Sequence, residues 1–250
     1  MRYFIQFSYL GKNYHGWQVQ PNKITVQQEL TQAVSLLLNE EILLVGAGRT
    51  DSGVHARKMY AHFDAEQHLD SQHLVKRLNS LLPSDVAVQE IFEVDNDAHA
   101  RFDATQRTYR YYIHTQKNPF KEDISWYFNR PLNIDQMNLA CKELFLHTDF
   151  QCFSKTNTDV FTYNCQIYKA FWIQDGSNLV FTITADRFLR NMVRAIVGTM
   201  INIGLGKTTP EEFRQIIKSK NRQQAGFSVP AHGLFLEDVA YPYIAPQTNP

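Results

Sequence analysis

Apolar and polar residues change their spacing along this chain in a way that predicts a regular series of strands and helices. Residues 2–10 alternate as in a strand, with Tyr3, Ile5 and Phe7 on one face. Residues 25–39 have helical spacing and open with TVQQ, in which Thr25 is the predicted N-cap. Further strands are predicted at 41–47, 58–65 and 85–94, with a second helix at 70–82.

The resulting order in the first half is strand, helix, strand, strand, helix, strand. This is the ferredoxin-like split order, which the RRM domains that bind RNA share. The second half follows it loosely, without a sequence repeat, through strands at 106–115, 164–174, 178–185 and 234–241 and helices at 133–145, 187–204 and 209–219. We therefore predict an α+β protein of two ferredoxin-like (RRM-like) βαββαβ halves, residues 1–100 and 101–250, around a central mixed or antiparallel sheet.

Composition places the chain among ordinary globular proteins, since 44% of its 250 residues are hydrophobic and 20% are charged. It has no run of 18 or more apolar residues, and its N-terminus lacks the apolar stretch of a signal peptide. We therefore expect a cytoplasmic protein with no membrane span. Cys141, Cys152 and Cys165 are widely spaced and the histidines form neither HxxxH nor HExxH, so we expect no disulfide framework and no metal site.

The net charge is zero, which argues against binding a polyanion through overall charge. Cations nevertheless cluster locally in three segments, and such clusters are compatible with binding of nucleic acid or with solvated surfaces. The clustered residues are Arg49, Arg57 and Lys58; Arg187, Arg190 and Arg194; and Lys207, Arg214, Lys218, Lys220 and Arg222.

The segment GLGKTT (204–209) has a partial likeness to a phosphate-binding P-loop. The P-loop pattern requires a glycine where Ile201 stands, and it follows a strand, whereas this segment follows a predicted helix. A helix start explains the segment better, with Thr209 as N-cap, Pro210 in the first turn and Glu212 at the third position. We therefore expect no nucleotide hydrolysis.

The stretch GRTDSGVHAR (48–57) places one carboxylate, Asp51, in a glycine-flanked loop. An aspartate in such a loop often closes a turn or caps a helix, and spacing alone favours that structural role. The chemical alternative starts from ionisation, because an aspartate is anionic at pH 7 and is suited to act as a nucleophile or a base. Glycines would let the backbone bring that carboxylate close to a bulky substrate.

Five segments, taken in order, resemble the TruA family of tRNA pseudouridine synthases over nearly the full length of the chain. The most specific is AGRTDSGVHA (47–56). One departure is visible, because the family usually has an aspartate at the position of Leu10, and a second, smaller one is Ser52, where alanine is commoner. The other matching segments are YLGKNYHGWQVQ (9–20), HARFDATQRTYRY (99–111), FLRNMVRAIVGT (188–199) and PAHGLFLEDVAYP (230–242).

The resemblance implies a pseudouridine synthase fold and the isomerisation of uridine to pseudouridine at positions 38, 39 and 40 of the tRNA anticodon stem-loop. It implies a homodimer across which the tRNA lies, with no cofactor and no metal. The residues that match the family's site are Asp51 as catalytic nucleophile or base, Tyr109 as a catalytic residue that stacks on the target base, Arg194 as the partner of the aspartate, Arg49 as the arginine that enters the RNA, and Phe188 and Val193 as walls of the pocket.

Several alternatives stay open from the sequence. Asp51 could attack C1′ of the ribose, attack C6 of the uracil ring, or remove the 2′ proton of the sugar. A non-catalytic RNA-binding protein or RNA chaperone with RRM-like domains would account for the element order and the basic clusters, but it gives no reason for Asp51, Tyr109 and Arg194. A nucleosidase that uses Asp51 on a sugar is a second alternative, and it would release free uracil.

Overall fold

The computed structural model describes residues 1–156 and 160–245, and it contains strands and helices in nearly the predicted order. The strands are β1 (Arg2–Tyr9), β2 (Val45–Gly46), β3 (His55–Asp64), β4 (Val86–Val94), β5 (Gln106–His114), β6 (Trp126–Tyr127), β7 (Ile167–Asp175), β8 (Asn178–Ala185) and β9 (Leu234–Ala240). The helices are α1 (Val26–Leu38), α2 (Ser71–Leu81), α3 (Ile134–Leu144), α4 (Met192–Gly204) and α5 (Pro210–Ser219). None of the helices in the described ranges is long and apolar enough to cross a membrane.

By its internal contacts the chain forms two compact units. Unit 1 comprises Met1–Thr105 and the described residues from Leu236 onward, and unit 2 comprises Gln106–Phe235. Strands follow the order β4-β1-β3-β9 in unit 1, with β2 on β3, and β5-β8-β7 in unit 2, with β6 on β5. Most pairs are antiparallel and β5 with β6 is parallel, so the predicted α+β fold with a mixed sheet is confirmed. Most of β9 belongs to unit 1, whereas the predicted halves placed it in the second.

Strand β1 of unit 1 is buried on both faces along most of its length. Tyr3 stacks on Phe63 at 5.8 Å between ring centroids, on the face that the alternation predicts to be apolar. Phe4 faces the other way and is also fully buried, because the ring of Tyr241 packs edge-on against it at 5.3 Å. The segment that follows β9 therefore supplies the cover for a second buried face.

Side chains cap the two helix starts for which the sequence predicts an N-cap, Thr25 and Thr209. Thr25 accepts a hydrogen bond from the backbone N–H of Gln28 at the start of α1. At the start of α5, Thr209 and Glu212 form a reciprocal capping box, in which each side chain accepts from the backbone N–H of the other residue at 3.1 and 2.8 Å. The capping interpretation of GLGKTT is confirmed.

The predicted strand at 41–47 is wrong except for Val45–Gly46. Before β2, two backbone groups of this segment are bonded by side chains of α1 and not by a neighbouring strand. Gln27 Nε2 donates to the carbonyl of Leu44 at 2.7 Å, and Ser35 Oγ accepts from the N–H of Ile42 at 3.1 Å. The apolar residues before β2 therefore lie against α1 and, within the described ranges, do not pair with a neighbouring strand.

The predicted helix at 187–204 begins five residues late, because α4 starts at Met192. Asn191 has a left-handed backbone with φ of 68°, which a continuous helix does not allow. Earlier in the chain, the carboxylate of Asp186 accepts a hydrogen bond from the backbone N–H of Arg187 at 2.7 Å. Residues 187–191 are thus a fixed loop, and Phe188 lies outside the helix.

The core of unit 2 lies between α3, α4 and the sheet. Trp172 stacks on Phe181 at 5.0 Å, and its indole N–H points to the sulfur of Met200 at 3.2 Å. The three cysteines, Cys141, Cys152 and Cys165, are free and buried, and burial raises the pKa of each thiol to about 12. They are core residues, and none of the three is in a disulfide.

Candidate active site

The loop that carries Asp51 is a tight turn immediately before β3. The N–H of Val54 donates to the carbonyl of Asp51 at 3.1 Å, and Gly53 between them has a left-handed φ of 79°. Asp51 is half-buried and Arg49 is exposed. Asp51 therefore lies in a turn with a fixed backbone, as expected if its role is to close that turn. Its carboxylate is also partly accessible to solvent.

A second segment, residues 11–17, holds this turn from outside the loop. The backbone carbonyl of Tyr14 accepts from the N–H of Gly53 at 3.3 Å and from the hydroxyl of Ser52 at 3.2 Å. The N–H of Trp17 donates to the carbonyl of Thr50 at 3.4 Å. Hydrogen bonds therefore tie the residues on both sides of Asp51 to the same neighbouring segment.

Two glycines make this close approach possible. A Cβ at Gly11 would lie 2.0 Å from the carbonyl oxygen of Val54, and a Cβ at Gly16 would lie 2.3 Å from that of Thr50. Both distances are below any real contact, and Gly16 also has a φ of 85°. These two positions accept only glycine while the backbone of the Asp51 turn stays where it is.

Polar side chains complete the frame of the turn. The hydroxyl of Tyr9 lies 2.8 Å from Oγ1 of Thr50, and Nδ1 of the buried His55 accepts from the N–H of Gly11 at 2.9 Å. The phenol of Tyr14 donates to Asp85 at 2.6 Å, and burial together with this carboxylate raises the pKa of that phenol.

Sequence reasoning missed the role of these framing residues. The segment YLGKNYHGWQVQ carried a resemblance, but its glycines and tyrosines had no assigned task. The available signal was the pair Gly11 and Gly16, since two glycines in a short segment outside a turn indicate a close backbone approach.

Unit 2 holds the other predicted site residues. Tyr109 lies on β5, paired with Ile183 of β8, and its ring meets that of Phe188 edge-on at 5.1 Å. Both rings are half-buried. The structure therefore brings Tyr109 and Phe188 together, and this depends on the loop at 187–191 that replaces the first turn of the predicted helix.

Arg194 and Val193 lie in the first turn of α4, with Val193 buried and Arg194 half-buried. Nε of Arg194 donates to the carbonyl of Val229 at 2.7 Å, and the N–H of Val229 donates back to the carbonyl of Arg194 at 3.3 Å. A Cβ at Gly198 would lie 1.8 Å from the carbonyl oxygen of Phe227. The segment 226–230 therefore runs directly against α4 and orients the guanidinium of Arg194.

The predicted site residues are divided between the units. Asp51 and Arg49 belong to unit 1, whereas Tyr109, Phe188, Val193 and Arg194 belong to unit 2. The pairing of Asp51 with Arg194 stays a prediction.

Carboxylates distant in sequence pair with several of the clustered cations. In unit 1, Arg57 lies 3.2 Å from Glu237 and Lys58 lies 3.1 Å from Asp238. In unit 2, Arg214 binds Glu143 through two hydrogen bonds of 2.7 Å, and Lys220 lies 2.7 Å from Asp149. In these two of the three segments, the number of cations therefore overstates the local positive charge.

The described ranges contain no group of three or more histidine, cysteine, aspartate or glutamate side chains placed to hold a metal ion. The chemistry available in the residues described above is that of a carboxylate, a phenol and guanidinium groups, with aromatic rings beside them.

Comparison with known proteins identifies the class. The family model described as tRNA pseudouridine synthase matches residues 5–103 and 140–242. The chain belongs to this family.

Relatives named tRNA pseudouridine synthase A match almost end to end. The protein of Parabacteroides distasonis is 54% identical, and 96% of each chain is covered. That of Bacteroides fragilis is 51% identical, again with 96% of each chain covered. That of Bacillus subtilis is 40% identical over 96% of this chain and 99% of its own. The resemblance that the motifs indicated is confirmed.

Proposed function

We propose that the protein isomerises uridine to pseudouridine at positions 38, 39 and 40 of the tRNA anticodon stem-loop, and that it works as a cytoplasmic homodimer. The observation that carries the proposal is the Asp51 turn, which a second segment fixes on both sides of the carboxylate, in a chain that belongs to this family. The comparisons give no support to the alternative of a non-catalytic RNA-binding protein.

The reaction needs no net oxidation or reduction. The bond from N1 of uracil to C1′ breaks, the ring turns, and a bond from C5 to C1′ forms. The proton on C5 is lost and N1 gains one, so that atoms and electrons balance. The protein must therefore hold a detached base and supply an anion and a route for protons.

Asp51 is the proposed nucleophile or base. A fixed backbone stabilises a reactive geometry before the substrate arrives, and this reduces the entropy lost in reaching the transition state. Arg194 is proposed to pair with the carboxylate and orient it, because hydrogen bonds between a guanidinium and a carboxylate are strong and directional. Attack at C1′, attack at C6 and removal of the 2′ proton all use this carboxylate.

Tyr109 is proposed to stack on the target base, with Phe188 fixing the plane of its ring and Val193 lining the same pocket. A half-buried phenol offers both an aromatic face and a group able to transfer a proton. Arg49 is proposed to enter the RNA once the base leaves its stack, since it is exposed and lies two residues from Asp51.

Asp51→Asn is the variant that tests the assignment. We expect the release of tritium from C5-labelled uridine in tRNA to fall by at least about 1,000-fold, since removing a nucleophile abolishes the covalent or basic step. The affinity for tRNA should change only a few-fold, because the amide preserves the shape of the side chain. The control is Asp175→Asn, an exposed carboxylate at the end of β7.

Pseudouridine formation by Asp51→Asn at the parent rate would rule out the nucleophile role. A parent protein that releases free uracil instead would favour the nucleosidase.

A further inference from the structure

The HARFDA loop (residues 99–104) belongs to a matching segment of the family, but the chemistry proposed above uses none of its residues. It presents Phe102 at the surface with 73% of its area exposed. Burying this ring against another molecule would be favourable, so a rigid loop that presents it offers a ready contact. The surroundings of this ring indicate what covers it.

Unit 1 fixes the backbone of the HARFDA loop through several side chains. Nδ1 of the buried His62 accepts from the N–H of Ala100 at 3.1 Å, and the hydroxyl of Tyr241 donates to the carbonyl of the same residue at 2.5 Å. Asp103 accepts from the N–H of His99 at 2.7 Å. Both sides of the loop are therefore held in place.

The backbone at the exposed ring is held in the same way. Nδ1 of His99 accepts from the N–H groups of Arg101 and Phe102 at 3.1 and 3.3 Å. Little conformational entropy is left to lose at this position, which favours binding through a rigid exposed side chain.

Aromatic rings continue from the interior of unit 1 to this surface. The His62 ring meets that of His99 at 4.6 Å, and the His99 ring meets that of Phe102 at 4.3 Å. The guanidinium of Arg101 lies over the Phe102 ring at 5.6 Å. The first of these ring contacts is edge-on, with 63° between the planes, and the second is tilted by 36°. A planar π system that stacks on Phe102 would lengthen this column of connected rings.

The charges around the column favour a base over a bare phosphate as the group that meets the ring. Asp103 accepts from the hydroxyl of Tyr243 at 2.9 Å, and the pKa of this phenol is raised by burial, then by Asp103, Asp97 and Asp95. Carboxylates on that side repel a phosphate. Arg101 is an exposed cation next to the ring, and it suits the phosphate of the stacked nucleotide.

We propose that Phe102 stacks on an unpaired base of the tRNA and that Arg101 contacts the neighbouring phosphate. Every base has a π face, so such a contact binds without reading the sequence. It would help to hold the RNA while another nucleotide leaves its stack. The inference rests on the proposed action on tRNA.

The test is the equilibrium binding of an unmodified tRNA in the Asp51→Asn background, so that no turnover occurs. Phe102→Ala should raise Kd by about 5- to 100-fold, the range found when a stacking aromatic is removed. Phe102→Tyr should stay within about threefold, because the π face is retained. Arg101→Gln should also weaken binding and lower its dependence on salt.

Phe120→Ala is the matched control, since Phe120 is 89% exposed and lies outside the column of His62, His99 and Phe102. In otherwise native protein, kcat/KM for Phe102→Ala should fall by the same factor as the affinity, while kcat at saturating tRNA stays at the parent value. A purely structural role of the ring would lower the melting temperature instead, and we expect that temperature to stay unchanged.

Equal Kd values for Phe102→Ala, Phe120→Ala and the parent would overturn the inference. A change in sedimentation mass with unchanged RNA affinity would also overturn it, by showing that the ring contacts a second protein. Pseudouridine formation by the parent is measured separately, so either result leaves the proposed reaction standing. If the proposed reaction itself is wrong, the parent protein will make no pseudouridine.

Discussion

Replacing Gly11 by alanine would add a single methyl group, and this is enough to disrupt the Asp51 turn. The Cβ of an alanine there would lie 2.0 Å from the carbonyl oxygen of Val54, which belongs to backbone and cannot rotate away. The two segments would have to move apart, and the hydrogen bonds around Tyr14 would lengthen. The position of the carboxylate thus depends on a residue with no side chain.

We predict that Gly11→Ala lowers the free energy of unfolding by about 2–4 kcal/mol, since overpacking and backbone clashes belong to the large destabilising changes. It should also reduce kcat, because the turn that carries the proposed nucleophile must shift. Urea denaturation and single-turnover kinetics measure the two effects. Gly48→Ala is the stability control, as nothing lies within 4 Å of a Cβ at that position. Equal stability of the two variants would contradict the prediction.

His62 makes the stability of the protein depend on pH. His62 is buried, and burial, followed by the charges of His99 and Arg2, lowers its pKa to about 4. Its Nδ1 accepts the N–H of Ala100, so folding requires this nitrogen without a proton. The folded pKa is below the unfolded value of about 6.5, so the unfolded state binds the proton first.

The resulting contribution to stability is present above about pH 6.5 and is lost as the pH falls toward 4. We predict that the parent loses up to about 3 kcal/mol more than His62→Asn between pH 7.5 and pH 4, since a tenfold change in proton affinity corresponds to about 1.4 kcal/mol. Asparagine keeps an acceptor close to the position of Nδ1 and does not titrate. Unfolding by urea at the two pH values measures the difference, and identical pH dependence would refute the role of His62.

Helix α4 shows how the segment packed against an element orients a predicted site residue, Arg194. The helix faces the segment 226–230 across Gly198, and Arg194 exchanges hydrogen bonds with Val229 in both directions. The contact at Gly198 is between backbones, so it leaves no room for a side chain. The direction of the guanidinium is therefore set by the packing of α4 against an irregular segment.

We predict that Gly198→Ala destabilises the protein by about 2 kcal/mol or more, since the new Cβ would lie 1.8 Å from the carbonyl oxygen of Phe227. The rate should fall as well, because Val229 would move and release the guanidinium of Arg194. The control is Asn202→Ala in the same helix, at a half-buried position. Thermal unfolding and tritium release provide the measurements, and a variant as stable and active as the control would disprove the proposed packing role.

At the scale of the whole molecule, the net charge is zero, so RNA binding has to rely on particular cations. Lys220 is paired with Asp149, whereas Lys207 is exposed just before α5. A lysine that already has a carboxylate partner releases fewer counterions when it meets a phosphate. Electrostatic binding should therefore depend on a subset of the clustered cations.

We predict that tRNA binding weakens at least about tenfold between 50 and 300 mM salt, as phosphate contacts require. The slope of log Kd against log salt should drop more for Lys207→Gln than for Lys220→Gln. Filter binding over a salt series measures both slopes. Affinity that does not respond to salt would show that phosphate contacts contribute little.

The sequence by itself determined the elements whose signals are local. Periodic apolar residues located nearly all strands and helices, and Thr209 with Glu212 located a helix start, because capping depends on residues three positions apart. The ordered motifs also indicated the family, since short segments in a fixed order are recognisable as a pattern.

Only the tertiary structure decided features that depend on residues distant in the chain. The strand predicted at 41–47 is confined to Val45–Gly46, because side chains of α1 bond the N–H of Ile42 and the carbonyl of Leu44. Phe188 lies outside the predicted helix, because α4 begins only after the left-handed residue Asn191. The framing of Asp51 by Gly11 and Gly16 and the pairing of Lys220 with Asp149 are likewise contacts across many residues. Local spacing carries no information about such contacts, because their energy depends on which segments folding brings together.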